Sequence, residues 1–195
     1  MTGFPRKQGL YDPKLEKESC GVGFIVHLKG QPSHKIVTDS LTALVNMRHR
    51  GACGCESNTG DGAGMLLQLP HKFLRKAAAE CGITLPEPGA YGVGMVFLPR
   101  DEADRARCEQ TLEAIIAEEG QTLLGWRTVP VRNDTLGPTA VAGEPLIRQV
   151  FIGLNSGIGG DDLAFERKLY LIRRRAENAL RVTSPDGLQD RKSVV

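Results

Sequence analysis

The chain has 195 residues, of which 41% are hydrophobic and 25% are charged, and its 25 basic and 23 acidic side chains leave a formal net charge of +2. This apolar content suffices for a folded core and argues against wholesale disorder. The balanced charge, with no dominant basic block, argues against a nucleic-acid partner, and no apolar run approaches the length of a membrane span.

The amino-terminal leader and the cysteines indicate the cellular compartment. Residues 1–19 are polar and charged and lack the apolar stretch of a secretory signal. The five cysteines are an odd number, and their spacing matches no small disulfide-bonded scaffold. Free thiols are typical of reducing compartments. The sequence therefore predicts a cytoplasmic protein.

Hydrophobic periodicity and the positions of Gly and Pro predict alternating strands and helices. The predicted strands cover residues 20–28, 65–69, 91–98, 123–131 and 147–154. Helices are predicted over residues 38–49, 71–80 and 161–181, and a further helix is predicted between an Asp101 cap and Gly120. Residues 51–64 and 132–145 are predicted to be loops. Helices that fall between strands indicate a layered α/β or α+β fold, and periodicity alone does not choose between them.

Cys20 is the first candidate for chemistry, because it lies where the polar leader meets the first predicted strand. A single cysteine in a strand is ordinarily a buried structural residue. In the alternative interpretation, cleavage after Ser19 makes Cys20 the amino terminus. Its own α-amine, which titrates near about pH 8, then serves as the general base. A thiol that titrates near about pH 8.5 is partly ionised and strongly nucleophilic. The neighbouring Gly21 and Gly23 leave room for a substrate carbonyl.

An ordered set of sequence runs identifies a family. The runs CGVGFI at 20–25 and HRGACGCESNTGDGAG at 49–64 resemble the opening of glutamate synthase large subunits, which begin with a class II glutamine amidotransferase domain. Later runs agree with this resemblance: GWRTVP at 125–130, LGPTA at 136–140, GEP at 143–145, RQVFI at 148–152 and FERKLY at 165–170. The similarity extends from about residue 10 to residue 181.

The resemblance implies a fold and a domain organisation. The implied fold class is α+β, the four-layer αββα sandwich of the N-terminal-nucleophile hydrolases, here incomplete. Residues 1–19 are expected to be a propeptide, and residues 20–189 the amino-terminal part of the amidotransferase domain. The family's oxyanion hole and substrate anchors are expected beyond residue 195. Since loss of oxyanion donors costs about two to three orders of magnitude in rate, we expect this chain alone to be inactive.

The resemblance also implies a reaction. The terminal cysteine, here Cys20, attacks the side-chain amide of L-glutamine, releases ammonia and forms a thioester that water hydrolyses to glutamate. Arg50 matches the arginine of the family's His-Arg-Gly signature, where its guanidinium orients the thiol or stabilises negative charge. The alternative for Arg50 is a helix-terminal arginine that offsets the macrodipole. His49 is expected to pack or hydrogen bond, and His27 and His34 have no matched role.

The implied partners lie mostly outside this segment. One is the synthase domain of the same parent chain, which uses the ammonia to aminate 2-oxoglutarate. The other depends on the electron donor, which the sequence leaves open between NADPH and ferredoxin: an NADPH-dependent parent implies a small flavoprotein subunit. FMN and an iron–sulfur cluster are expected in the remainder of the parent, with no cofactor in this segment.

Two other functions compete with this interpretation. One is a different class II amidotransferase. The other is a metal-binding module that uses Cys53 and Cys55, although no second pair stands at ligand spacing. The glycine-rich run 58–64 lacks the Lys-Ser/Thr of a phosphate-binding loop.

Expectations for the last third of the chain concern packing and the terminus. Trp126 is expected to be a packing residue, and residues 173–175 a solvated, arginine-rich helix face. We expect several of the stripe residues to be exposed in this chain, since strands beyond residue 195 are expected to cover them: Phe165, Leu169, Ile172 and Leu180. Residues 190–195, DRKSVV, match the translation of GAT CGG AAG AGC GTC GTG, a sequencing-adaptor sequence, and we expect them to be adaptor read-through.

Overall fold

The computed structural model of the chain describes residues 7–9, 21–47, 62–155 and 163–182. The chain forms two compact units, Met1–Gln68 with Leu136–Thr139, and Leu69–Thr135 with Ala140–Val195. The helices and strands, in chain order, are α1 (His34–Asn46), α2 (His71–Ala79), β1 (Tyr91–Leu98), α3 (Glu102–Glu118), β2 (Thr122–Thr128), α4 (Pro138–Ala142), β3 (Leu146–Gly153) and α5 (Ala164–Val182).

In the first unit, α1 is the one regular element that lies wholly within the described residues. It begins at His34, four residues before the predicted start, directly after the extended backbone of Ser33. No residue of α1 is buried, and Lys35 and Asp39 form an exposed ion pair of 2.5 Å on its surface. Such i,i+4 pairs support the helix locally, while Ile36, Val37 and Leu44 are half-buried.

Two of the predicted strands are wrong where the structure describes them. Residues 21–28 and 65–69 form neither strand nor helix. The apolar side chains of the first segment are exposed, at 88% for Val22 and 90% for Phe24. An apolar run supplies side chains to bury, but a strand also needs a neighbour for its backbone N–H and C=O groups. The sequence pattern alone could not show whether such a neighbour is present.

The second unit is built on a three-stranded antiparallel sheet in the order β1-β3-β2. The central strand β3 pairs with both neighbours, so that Val150 lies opposite Gly94 of β1 and Trp126 of β2. The β2–β3 ladder shifts register between Leu123 and Gly125. Because both outer strands run antiparallel to β3, they are parallel to each other, and α3 makes the crossover between them.

Both faces of this sheet are covered. On one face, α3 and α5 pack through a buried cluster of Val96, Leu98, Leu112, Ile115, Ile116, Val150, Ile152, Ile172 and Ala176. On the other face, α2 and the chain that follows it contribute to a cluster of Leu74, Ala78, Ile83, Leu85, Tyr91 and Phe151. The second unit thus has three layers, a helix pair, a sheet and a helix, with apolar cores on either side of the sheet.

The ends of α3 agree with the sequence prediction. The Asp101 carboxylate accepts a hydrogen bond of 2.9 Å from the backbone N–H of Asp104, which caps the helix. At the other end Gly120 has φ +73°, and its N–H bonds to the Ala117 carbonyl while Gln121 N–H bonds to Ile116. This paired arrangement is a Schellman motif, which favours glycine at the left-handed position. Both predicted boundaries are confirmed.

The apolar stripe of α5 is more buried than expected. Phe165 is 7% exposed and Ile172 is 2% exposed, and Leu169 packs against the same core. The expectation that several stripe residues would be exposed is therefore wrong for these positions. The covering surface comes from the sheet and α3 of the same unit, which the one-dimensional pattern could not reveal.

Two other boundaries differ from the prediction for identifiable reasons. β2 ends at Thr128 rather than at Val131, because Pro130 cannot donate to the ladder. Within the predicted loop 132–145, residues Pro138–Ala142 form the short helix α4. The described elements are helices with a small antiparallel sheet, which agrees with the α+β class.

Candidate functional site

The two residues predicted to act in catalysis, Cys20 and Arg50, lie outside the described residues. The same holds for His49, Cys53 and Cys55. Their predicted roles therefore stay predictions. The geometry that can be given is that of the segments flanking them, residues 21–47 and 62–69, and of the second unit.

His27 has a defined structural role that the sequence did not assign. Its Nδ1 accepts hydrogen bonds from the backbone N–H groups of Lys29 at 3.3 Å and Gln31 at 3.2 Å. Gly30 N–H donates to the His27 carbonyl at 2.8 Å, which closes a β-turn. Asp, Asn or Ser commonly stands first in such a turn and glycine last, so Gly30 was a sequence signal for the turn, whereas the acceptor role of His27 had none. The histidine replaces the usual short polar side chain.

A second histidine contact lies in the second unit. His71 Nδ1 is 3.0 Å from the hydroxyl of Tyr91, and the two ring centroids are 5.8 Å apart. Tyr91 is 4% exposed, and burial raises the pKa of its hydroxyl. The phenol therefore stays neutral at physiological pH and can satisfy its polar atom within the apolar cluster. This contact joins the start of α2 to the start of β1.

The two described cysteines differ in environment. Cys81 is exposed and Cys108 is half-buried on α3, and both are free thiols. Burial raises the pKa of the Cys108 thiol, an effect that Asp104 and Glu109 strengthen and Arg107 opposes. Across residues 7–9, 21–47, 62–155 and 163–182, no group of three or more His, Cys, Asp or Glu side chains could hold a metal ion.

Trp126 packs as the sequence predicts. Its ring lies against the α3–α5 core, and its Nε1–H donates to Glu113 at 2.7 Å. The guanidinium of Arg148 lies 5.2 Å from the ring centroid and donates to Glu109 at 2.5 Å. The two charged hydrogen bonds hold α3 against β2 and β3, and the cation–π contact joins the two strands.

The arginine-rich segment of α5 is only partly the solvated face that was expected. Arg175 donates to Glu119 at 2.6 Å and also to Glu118, both at the end of α3. It lines a groove of about 560 Å³ between the two helices, together with Thr111, Ala114, Ile115, Glu118, Asn178 and Ala179. Because Arg175 is already paired, the groove offers no free cation from this residue to an anionic ligand. Arg173 and Arg174 both pair with Glu177 on their own helix.

Within the part of the chain that the structure describes, no helix is long and apolar enough to cross a membrane.

Comparison with known families identifies the class of protein. A model of the family described as "Glutamine amidotransferases class-II" matches residues 20–191. The match covers most of the chain and begins at Cys20, the residue predicted to be the nucleophile. The chain belongs to the class-II glutamine amidotransferase family.

Particular relatives make the comparison more specific. The chain is 50% identical over 175 residues to the Glutamate synthase [NADPH] large chain of Bacillus subtilis. This alignment covers 89% of this chain and 11% of the relative. It is 45% identical over 181 residues to the Glutamate synthase [NADH] of Schizosaccharomyces pombe, and this alignment covers 90% of this chain and 8% of the relative. It is 39% identical over 180 residues to the Ferredoxin-dependent glutamate synthase 1 of Arabidopsis thaliana, and this alignment covers 92% of this chain and 11% of the relative. The chain thus spans about one-tenth of the length of these relatives.

Proposed function

We propose that this chain is the glutaminase portion of a glutamate synthase, which releases ammonia from glutamine for the amination of 2-oxoglutarate. One observation carries the proposal. Relatives named for NADPH, for NADH and for ferredoxin all share this segment at 39–50% identity. A segment common to enzymes with three electron donors is better suited to the shared glutamine hydrolysis than to electron transfer.

The proposed reaction proceeds through a thioester on Cys20. The sulfur adds to the amide carbon of the glutamine side chain while the thiol proton passes to the α-amine of the same residue. That proton then passes to the amide nitrogen, which leaves as ammonia. Water next adds to the thioester carbon, the sulfur leaves and regains a proton, and glutamate is released. The start of the family match at residue 20 supports this assignment, because the mechanism requires Cys20 to be the amino terminus.

Arg50 is proposed to act beside the nucleophile. Its guanidinium stays charged at any physiological pH and presents several N–H donors in a fixed plane. It can therefore orient the thiol or stabilise negative charge that develops during the attack. The position lies within the matched region and within the run that resembles the family signature.

The finer features of the fold are also proposals. We propose the four-layer αββα arrangement of the N-terminal-nucleophile hydrolases, with residues 1–19 as a propeptide. The described helices and antiparallel sheet agree with part of such an arrangement. Residues 136–139 belong to the same compact unit as residues 1–68, so this unit is built from segments far apart in sequence.

The proposed partners follow from the reaction. They are L-glutamine, a synthase domain that receives the ammonia and, in an NADPH-dependent parent, a small flavoprotein subunit. FMN and the iron–sulfur cluster are assigned to the synthase part.

The test uses the full protein that contains this segment. Cys20→Ala should abolish glutamine-dependent glutamate formation and leave activity with added ammonia, because the synthase site is separate. Cys81→Ala is the matched control, since this exposed thiol lies after α2, and it should leave both activities unchanged. Intact mass of the active protein should show an amino terminus at Cys20. Retention of residues 1–19 in active protein would refute the terminal-amine mechanism. Loss of both activities in Cys20→Ala would refute the assignment of glutamine hydrolysis and glutamate synthesis to separate sites.

A further inference from the structure

In the turn at residues 27–31, the titratable side chain of His27 accepts hydrogen bonds from the backbone. The single nitrogen Nδ1 of His27 accepts from two backbone donors, the N–H groups of Lys29 at 3.3 Å and Gln31 at 3.2 Å. A third bond, from Gly30 N–H to the His27 carbonyl at 2.8 Å, closes the turn. Gly30 has φ +67°, which favours glycine, so the backbone itself is suited to this conformation.

These bonds determine the chemical form of the imidazole. A nitrogen that accepts hydrogen bonds carries no proton, so the proton of neutral His27 must lie on Nε2. If Nδ1 became protonated, it would be a donor facing two other donors. Both hydrogen bonds would be lost, and the positive ring would lie against the two amide dipoles.

The described residues nearest to His27 in sequence offer little to compensate such a charge. The side chain is exposed, and residues 21–33 contain no acidic residue. The charged neighbours along the chain are basic: Lys29 on the turn, and Lys35 in the first turn of α1 beside His34. The carboxylate of Asp39 is already bound to Lys35 at 2.5 Å.

We propose that this turn is a pH-sensitive conformational device, closed by neutral His27 in its Nε2–H form and opened when Nδ1 is protonated. The direction follows from the donor and acceptor roles, and histidine is the side chain that ordinarily changes charge between about pH 5 and 8. The turn is followed by Pro32 and by Ser33, the residue that precedes α1. Opening the turn therefore frees the backbone N–H groups of Lys29 and Gln31, a few residues before this helix.

The experiment measures the turn directly in the full 195-residue chain labelled with ¹⁵N. At neutral pH, the ring nitrogen shifts of His27 should show the proton on Nε2. As the pH falls, the amide resonances of Lys29 and Gln31 should move with the same midpoint as the His27 ring. Hydrogen exchange followed by mass spectrometry provides a second readout for the peptide that spans the turn.

Substitutions separate the role of the acceptor from that of the charge. His27→Leu should make the two amides exchange about two- to tenfold faster at neutral pH, since one modest hydrogen bond is lost at each. His27→Asn keeps a side-chain acceptor at the first turn position, and so should preserve the protection and remove its pH dependence. His34→Gln is the control and should leave the response unchanged. A proton on Nδ1 at neutral pH, or amide resonances that do not follow the His27 titration, would overturn the proposal.

Discussion

Glu119, the residue that directly follows α3, accepts a hydrogen bond of 2.6 Å from Arg175 of α5. The other oxygen of the same carboxylate accepts from Lys168 at 2.8 Å, so one acidic side chain joins two basic residues about two helical turns apart. The Glu119 side chain is 10% exposed, whereas that of the adjacent Glu118 is 58% exposed. The sequence of α5 shows basic residues at these positions, but only the packing of the two helices shows their shared partner.

This relationship predicts a pH-dependent contribution to stability. The hydrogen bond from Lys168, and then that from Arg175, hold the pKa of Glu119 below its usual value. A carboxylate whose pKa is lower in the folded state stabilises the fold above its unfolded pKa, about 4.3, and loses that effect as the pH falls through the folded pKa. Glu119→Gln should therefore lower the free energy of unfolding at pH 7 by about 1 kcal/mol.

Urea unfolding of both proteins from pH 7 down to acid measures this contribution. The difference between wild type and Glu119→Gln should shrink as the pH falls. Glu118→Gln is the matched control, and its effect should be smaller because that carboxylate is more exposed. A difference that stays constant with pH would show that the loss is one of packing rather than of charge.

Phe151 is predicted to be the most sensitive aromatic position of the sheet. It lies on the central strand β3 and is 0% exposed, so truncation to alanine removes a fully buried ring. Phe151→Ala should destabilise the protein by about 3–5 kcal/mol. Phe97→Ala on the neighbouring strand β1 is the control, because Phe97 is 41% exposed, and it should cost less than about 1.5 kcal/mol. Similar urea midpoints for the two variants would contradict the described burial.

The second unit is predicted to fold without the first. Its sheet is covered on both faces by helices of the same unit, so residues 69–182 contain both buried clusters. A polypeptide of these residues alone should show a cooperative thermal transition and native-like near-ultraviolet circular dichroism. A molten state, with secondary structure but no cooperative transition, would mean that these clusters need the first unit.

The two described thiols are predicted to react at different rates. Burial raises the pKa of Cys108, which lowers its fraction of reactive thiolate at neutral pH, and the half-buried position also restricts access. Cys81 is exposed and should be alkylated by iodoacetamide well before Cys108. Peptide mass spectrometry over a time course at pH 7.5 measures both rates in one sample, and a faster Cys108 would contradict the assignment.

The sequence predicted best where local signals and burial agree. Asp101 and Gly120 bracket α3 as expected, because a side-chain cap and a left-handed glycine act within a few residues. The strands predicted at 91–98 and 147–154 agree with β1 and β3 to within one residue, because each strand supplies apolar side chains to the buried clusters.

The failures concern partners distant in sequence. Val22 and Phe24 have the pattern of a strand but no ladder in the described structure, and Phe165 and Ile172 are buried by elements that the pattern could not place. For the site, the resemblance supplied Cys20 and Arg50, whereas the acceptor role of His27 depends on a turn conformation that only the structure reveals.

The order of the strands also constrains how the protein can be synthesised. β3 follows β1 and β2 in the sequence and lies between them in the described sheet, so β1 and β2 meet no hydrogen-bonding partner in this sheet until residues 146–153 have been made. On the ribosome, the roughly 50 residues between β1 and β3 can therefore form only helices and unpaired strands until β3 is made. A stalled nascent chain that ends before residue 146 should remain sensitive to protease, and resistance should arise in one step once β3 and α5 have emerged.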